Sequence, residues 1–308
     1  MITFPVIPED EMVRRLAHPG RKIRMVLDTD TYNEIDDQFA VAYALASGDK
    51  MEVEAFYAAP FFNELSTGQA DGMEKSYQEL LKILRIMRRE DIPVFRGSTS
   101  YMSGLDVPVD SEAAHDLIAR AMASDPNDPL YVVAIGAITN VASALAMEPR
   151  IAERIVVVWL GGNALHWPDT REFNLQQDLH ASRLVLDCGV PLVLVPCLGV
   201  ATHLQTSLSE LRDYVKGQGE LGDYLYETYE RCTDDHFAYS RVIWDIAVIA
   251  WINNPEWCWS GIVHSPHLSE DMRWSMNVHR HFIRCVHYIR RDEVFRDLFR
   301  KIAAYTAG

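Results

Sequence analysis

The sequence predicts an α/β protein: a single-domain, open, mainly parallel sheet with helices on both faces and a helical insertion late in the chain. Three observations carry this. Short, apolar, β-rich runs alternate with longer amphipathic runs up to about residue 200, the pattern of strands joined by crossover helices. The strand-like runs are nearly continuous in apolar residues, as strands covered on both faces require. No linker, repeat or low-complexity segment interrupts the 308 residues, which are 48% hydrophobic and 24% charged, so they read as one large domain.

In order, "IRMVLD" reads as a buried strand and "DDQFAVAYALAS" as a helix closed by Gly48. "MEVEAFYAA" is a strand, "MEKSYQELLKILRIMRRE" a long helix and "IPVFRG" a strand. Then follow "SEAAHDLIARAMAS" (helix), "LYVVAIGAI" (strand), "NVASALAM" (helix) and "RIVVVWLGG" (strand). "DLHASRLVLDCG" is a helix leading into the strand "VPLVLVPCLG". Beyond Ser209 the pattern is mainly helical until the strand "FIRCVHYIR", and "DEVFRDLFRKIAAYT" closes the chain as a helix. Residues 1–21 precede this pattern as an N-terminal extension, and 22–308 form the domain.

Charge and composition exclude several classes. With 44 acidic against 29 basic residues and a formal net charge of −15, the chain lacks the basic face that nucleic-acid binding needs. Five cysteines are scattered without a CxxC pair, which argues against zinc and against a disulfide framework and fits a cytoplasmic protein. The start "MITFPVIPEDEMVRRLAHPG" has no signal-peptide apolar core. No apolar run approaches the ~18 residues of a membrane span, so no membrane partner is expected.

One stretch calls for chemistry. "RMVLDTDTYNEIDDQFAVAYAL" gathers Asp28, Asp30, Asp36 and Asp37 where a strand meets a helix. A single Asp at a helix start is an ordinary cap that suits the helix dipole. Four are harder to accommodate. Two carboxylates about 4 Å apart repel by roughly 4 kcal/mol at an effective dielectric near 20, so three converging groups would cost about 12 kcal/mol, comparable with the stability of a domain. Such groups point apart, take up protons, or hold a cation. An all-oxygen donor set favours calcium or magnesium over zinc. In open α/β sheets ligands sit at the carboxyl ends of strands, where this stretch, "AIGAITN" and "GGNALHWPDTREFN" all fall.

These motifs together resemble the inosine–uridine-type nucleoside hydrolases. The first, "DTDTYNEIDD", matches that family's Asp-x-Asp strand end with a following Asp-Asp pair; "AIGAITNVASALAMEP" is similar to its second metal loop, "WLGGNALHWPDTREFNLQQD" to its sugar loop and "WDIAVIAWINNP" to its last metal helix. The likeness spans roughly Lys22 to Pro255 and implies a Rossmann-like nucleoside hydrolase fold, calcium-dependent cleavage of the N-glycosidic bond of a nucleoside substrate, and a homodimer or homotetramer. Position by position, it implies that Asp30, Asp37, the carbonyl of Thr139 and Asp245 hold Ca2+, and that Asp30 takes the proton of the attacking water. It implies that Asp36 holds the ribose 2′-hydroxyl, Glu172 and Asn174 the other hydroxyls, and Asn63 a further ribose contact. Such carboxylates suit an oxocarbenium-like transition state.

Three departures bear on specificity. The "TYNEI" loop is two residues longer than the family's usual Pro-Gly-x turn, and His166 stands where the family often has Asn. Trp244 occupies the place of a leaving-group acid His, as in purine-preferring members, where Trp stacks on the base. Trp244 on its own would read as a core aromatic. His236 is a second candidate for the acid, though a helical His is more often structural. Trp167 and the Phe61–Phe62 pair are candidate stacking partners, or simply core cover. Two other functions compete. "VLDTDT" also resembles haloacid-dehalogenase-type phosphatases, with Asp28 as nucleophile and Asp30 as acid; alternatively, a nucleoside-binding protein keeps the calcium site without turnover.

Overall fold

The structure, a computed structural model, describes residues 2–306. In chain order its elements are α1 (Glu9–Arg15), β1 (Ile23–Thr29), α2 (Asp37–Leu45), β2 (Met51–Ala58), α3 (Gln69–Ile86), β3 (Val94–Arg96), α4 (Glu112–Ala123) and β4 (Leu130–Ala134). Next come α5 (Thr139–Met147), β5 (Ile155–Leu160), α6 (Phe173–Gln177), α7 (Leu179–Asp187), β6 (Leu192–Val195), β7 (Gln205–Thr206), α8 (Leu208–Tyr214) and α9 (Gly219–Glu230). The chain ends with β8 (Arg241–Val242), α10 (Ile246–Asn253), β9 (Cys258–His264), β10 (His267–Leu268), β11 (Trp274–Ser275), β12 (Phe282–Ile289) and α11 (Arg291–Thr306).

Eight strands form one sheet in the order β3-β2-β1-β4-β5-β6-β12-β9, parallel except for β9, which runs antiparallel to β12. Two apolar clusters, one on each face, bury β1 between α2, α3, α10 and α11 on one side and α4, α5 and α7 on the other. The strand order reverses at β1, which pairs with β2 on one edge and β4 on the other. That reversal opens a crevice at the carboxyl ends of β1 and β4, the usual ligand position in such sheets.

Two helices aim at the crevice. Every residue of α2 and of α10 is buried; apart from Asp37 and Gln38 at the start of α2 and Asn253 at the end of α10, both sequences are apolar all round because the helices lie inside the protein. They pack against each other, which brings Asp37 at the start of α2 and Asp245 at the N-cap of α10 to the same place.

The sequence reading needs three corrections. The region beyond Ser209 is not helical up to "FIRCVHYIR": β9 forms the sheet edge beside β12, and β10 and β11 make a small ribbon. A Ser-Gly pair inside "CWSGIVH" masks that strand. The strand in "IPVFRG" is confined to Val94–Arg96, and α3 begins earlier, at Gln69. Asp28 lies within β1, as in the strand reading of "IRMVLD". In the N-terminal extension, α1 packs on its own chain through Met12 and Leu16. Arg15 donates to the carbonyls of Glu153 (2.5 Å) and Pro126 (3.3 Å), at the sheet end opposite the crevice.

Candidate active site and cation centre

The first acidic loop is built from β1 outward. Asp28 is buried and its Oδ1 accepts from Asn140 Nδ2 at 2.7 Å; burial nevertheless pushes its pKa up to about 7, against that hydrogen bond. Thr29 Oγ1 donates to Asp37 Oδ1 at 2.5 Å. The "TYNEI" loop closes as a turn, with Asn33 N–H donating to the Asp30 carbonyl at 2.8 Å. Asn63 Nδ2 donates to the Asn33 carbonyl at 3.0 Å, so Asn63 braces this loop. It does not line the cleft.

Asp36, Asp37 and Asp245 converge, and Asp30 lies outside that trio but within reach of its charge. Carboxylate oxygens of Asp36, Asp37 and Asp245 lie within 4.8 Å of one another. Asp30 sits beside them: burial and then the Asp37 charge push its pKa well up. The Asp245 carboxyl is raised by burial and then by Asp36, Asp37 and Asp30, and Asp36 by burial and then by Glu34 and Asp37. Burial lifts Asp37 to about 7 against the Thr29 hydrogen bond. The "AIGAIT" loop closes over the group: a Cβ on Gly136 would lie 3.0 Å from Asp30 Cγ.

The cluster fits a hard cation. Both Asp30 oxygens, Asp37 Oδ2, Asn33 Oδ1 and Gln38 Oε1 are buried without a hydrogen-bond partner. All are acceptors, so the unmet need is positive charge, and a divalent cation held by oxygens answers it. Thr139 opens α5, buried, with its Oγ1 donating to Asp178 Oδ2 at 2.8 Å.

A cleft of about 260 Å³ opens above this cluster. Asp36 and Asp245 lie in its lining together with Glu172, Asn174 and Trp244. Glu172 caps α6, accepting from Asn174 N–H (2.9 Å), Leu175 N–H (3.1 Å) and Gly162 N–H (2.8 Å). Burial still raises its pKa, opposed by those donors. A carboxylate has about four acceptor sites; these three N–H groups and the Cys197 thiol all reach it. Gly162 has φ +66°, and a Cβ there would meet Thr170 Oγ1 at 2.6 Å, which explains a glycine in "WLGGN". Asn174 is 5% exposed and donates from Nδ2 to the Leu160 carbonyl at 3.1 Å. The half-buried Trp244 donates its backbone N–H to Asp36 Oδ2 at 3.0 Å.

Other candidates lie elsewhere. His236 is not on a helix: its Nε2 faces the Glu230 carbonyl at 2.9 Å and its ring lies between Tyr229 and Tyr239, outside the cleft lining. His166 is exposed, edge-on to the exposed Trp167, and also outside the lining. Phe61 is fully buried and Phe62 faces solvent. Asp28, buried and tied to Asn140, lacks the access a phosphatase nucleophile needs. Sequence reasoning missed Asn33, Glu34, Asn163, Arg171 and Cys197 in the cleft wall, and the buried Asp178. Only the length of the "TYNEI" loop hinted at the first two.

Comparison with known proteins agrees with this geometry. The model of the inosine-uridine preferring nucleoside hydrolase family matches residues 25–284. A pyrimidine-specific ribonucleoside hydrolase RihA from Klebsiella pneumoniae is 28% identical over 265 residues, covering 75% of this chain and 80% of that one. The protein of the same name from Citrobacter koseri is 27% identical over 254 residues, covering 72% and 77%. Among solved structures, the plant nucleoside hydrolase PpNRh1 superposes with a TM-score of 0.75 at 18% identity, over 92% of this chain and 99% of that one. A purine-preferring ribonucleoside hydrolase from Gardnerella vaginalis gives 0.73 at 19% identity, with coverage of 92% and 99%. A cation-ready carboxylate cluster at the β1–β4 crevice and a family match over most of its length lead to one conclusion: this chain belongs to the inosine-uridine preferring nucleoside hydrolase family, hydrolases that act on N-glycosyl bonds.

Proposed function

We propose that the chain uses a calcium ion to hydrolyse ribonucleosides to free base and ribose, with a preference for purines. The observation that supports the calcium reading best is the set of unpartnered buried oxygens on Asp30 and Asp37 beside Asp245. In this reading Asp30, Asp37, Asp245 and the Thr139 carbonyl hold the ion. Bound there, calcium acts as a Lewis acid that orients a water and lowers its pKa.

The chain's own groups do the rest. Asp30 accepts the proton of the attacking water as the water oxygen bonds to the anomeric carbon. Asp36, Glu172 and Asn174 hold the ribose hydroxyls, and the negative charge of the Asp36 and Glu172 carboxylates stabilises the oxocarbenium-like ribosyl group as the C–N bond breaks. Trp244 stacks on the leaving base. An indole N–H has no useful acidity near neutral pH, so the base takes its proton from solvent. His166 and His236 lie outside the cleft lining, which favours stacking over an imidazole acid. We further propose a cytoplasmic homo-oligomer, for which the scattered free cysteines are the only support on compartment; no helix among the described residues is long and apolar enough to cross a membrane.

The pyrimidine-specific names of the two relatives favour a second reading of specificity, with Trp244 serving as a wall against a smaller base. One assay tests both levels. The protein is incubated with inosine, adenosine, uridine, cytidine and para-nitrophenyl phosphate, with and without chelator. Chelator-sensitive release of base, faster from purines, is the expected result. Faster release from uridine and cytidine establishes the second reading. Saturable nucleoside binding without base release means a binding protein, and nitrophenol release a phosphatase.

A further inference from the structure

The junction between α6 and α7 connects the two halves of the site. Glu172 and Asn174 stand at the start of α6, and Gln177 and Asp178 at its end. Asp178 is 2% exposed. Its Oδ1 accepts from Ala181 N–H at 2.9 Å, the ordinary cap of α7. Its Oδ2 accepts from Met102 N–H at 2.9 Å and from Thr139 Oγ1 at 2.8 Å. Neither of these two bonds serves the cap. They reach across 76 and 39 positions of sequence to the loop after β3 and to the first residue of α5. Gln177 Oε1 adds the Phe62 N–H at 2.7 Å and the Tyr101 hydroxyl. One dipeptide thereby ties the sugar-side helix to the loops that follow β2, β3 and β4.

The geometry points to Asp178 as a positioning residue: by fixing the Thr139 side chain it sets the peptide at the start of α5 and aims the Thr139 carbonyl at the cation. This rests on the calcium reading above. A backbone carbonyl is a ligand whose place no rotamer can adjust, so it must be set by what holds the main chain. Thr139 is β-branched and restricted at χ1, so a hydroxyl pinned by a buried carboxylate restrains its backbone as well. Asp178 belongs to the same rigid piece as Glu172 and Asn174, so the restraint also keeps the sugar-side groups in register with the ion. Groups that orient a metal ligand typically change metal affinity by about 10–100-fold when removed.

The test uses the full chain and calcium chloride in isothermal titration calorimetry, with turnover measured across calcium concentrations. Thr139→Val removes the hydroxyl and keeps the shape; Thr139→Ser keeps the hydroxyl. Thr139→Val and Asp178→Asn are each expected to weaken calcium binding about tenfold and to raise the calcium concentration for half-maximal turnover by about the same factor. Thr139→Ser is expected to restore most of the affinity. The double variant is expected to be no weaker than the weaker single, since both changes break one interaction. If the parent binds calcium and Thr139→Val binds it equally well, Asp178 only caps α7 and the proposal is wrong while the calcium reading stands. If the parent binds no calcium, the calcium reading fails and this proposal with it. Should Asp178→Asn not fold, the Thr139 pair still decides.

Discussion

The backbone N–H of Trp244 holds Asp36 Oδ2 at 3.0 Å, so the aromatic wall of the cleft and the carboxylate that opens α2 are joined by a bond that does not depend on the indole. Trp244→Ala therefore deletes the indole without releasing Asp36. Base stacking is worth about 1–3 kcal/mol, so this variant is expected to lose about ten- to hundredfold in kcat/KM on purine nucleosides. A para-nitrophenyl riboside, whose leaving group needs no proton, is expected to be spared. If His236→Ala or His166→Ala produces that selective loss and Trp244→Ala does not, an imidazole acid replaces stacking in the mechanism.

The ribose side makes a sharper prediction. Asp36, Glu172 and Asn174 all line the cleft, and a site built to bond a hydroxyl leaves polar groups unpaired when the hydroxyl is missing. That rejects the deoxy analogue by about 10⁴-fold in favourable cases. Steady-state rates on adenosine and 2′-deoxyadenosine measure it directly, and equal rates would rule out the assignment of Asp36.

Asp37→Ala is expected to abolish calcium binding and turnover while leaving the fold intact. Thr29 Oγ1 loses its 2.5 Å acceptor but retains Thr31 Oγ1 at 2.8 Å. Removing one of several mutually repelling buried carboxyls also relieves the metal-free protein. Its melting temperature without calcium is therefore expected to equal or exceed that of the parent; a drop of more than about 2 °C, roughly 1 kcal/mol for a domain of this size, would show that Asp37 is held by something other than a cation.

Stability against pH follows from the same carboxyls. Burial raises Asp28 and Asp37 to about 7 in the folded protein, whereas an unfolded Asp titrates near 3.9. Where the folded pKa is the higher, the folded state binds more protons, and the metal-free protein loses stability as pH rises from about 4 through 7. His281 works in the opposite sense. Burial lowers it to about 4, and its contribution is lost as pH falls from about 6.5 toward 4. Calcium needs the carboxylates deprotonated, so the rise in melting temperature on adding calcium is expected to be larger at pH 8 than at pH 5.5. Comparing curves with and without calcium cancels His281. An equal rise at both pH values would show that the ion binds away from these groups.

Much of this arrangement was legible in the sequence because it rests on local patterns. Continuous apolar runs identified β1, β4, β5 and β6, and the position of Asp30 after a strand and of Asp37 at a helix start needed only chain neighbours. The convergence with Asp245 was legible only through the resemblance, since it depends on two buried helices, α2 and α10, packing 200 positions apart. What escaped reading depends on tertiary contact. Asp178 went unnoticed because its bonds to Met102 and Thr139 are long-range. Asn63 was assigned to ribose but braces the Asn33 carbonyl. His236 was read as a helical residue and a candidate acid, and residues 231–240 form no helix that would aim it at the cleft.

The most direct measurement of the central claim is a crystal structure with calcium soaked in, read by anomalous scattering. The account predicts one ion bound by Asp30, Asp37, Asp245 and the Thr139 carbonyl, with six to eight oxygens in total at about 2.3–2.6 Å. An ion elsewhere, or these three side chains pointing to different regions in the calcium-soaked crystal, would contradict it.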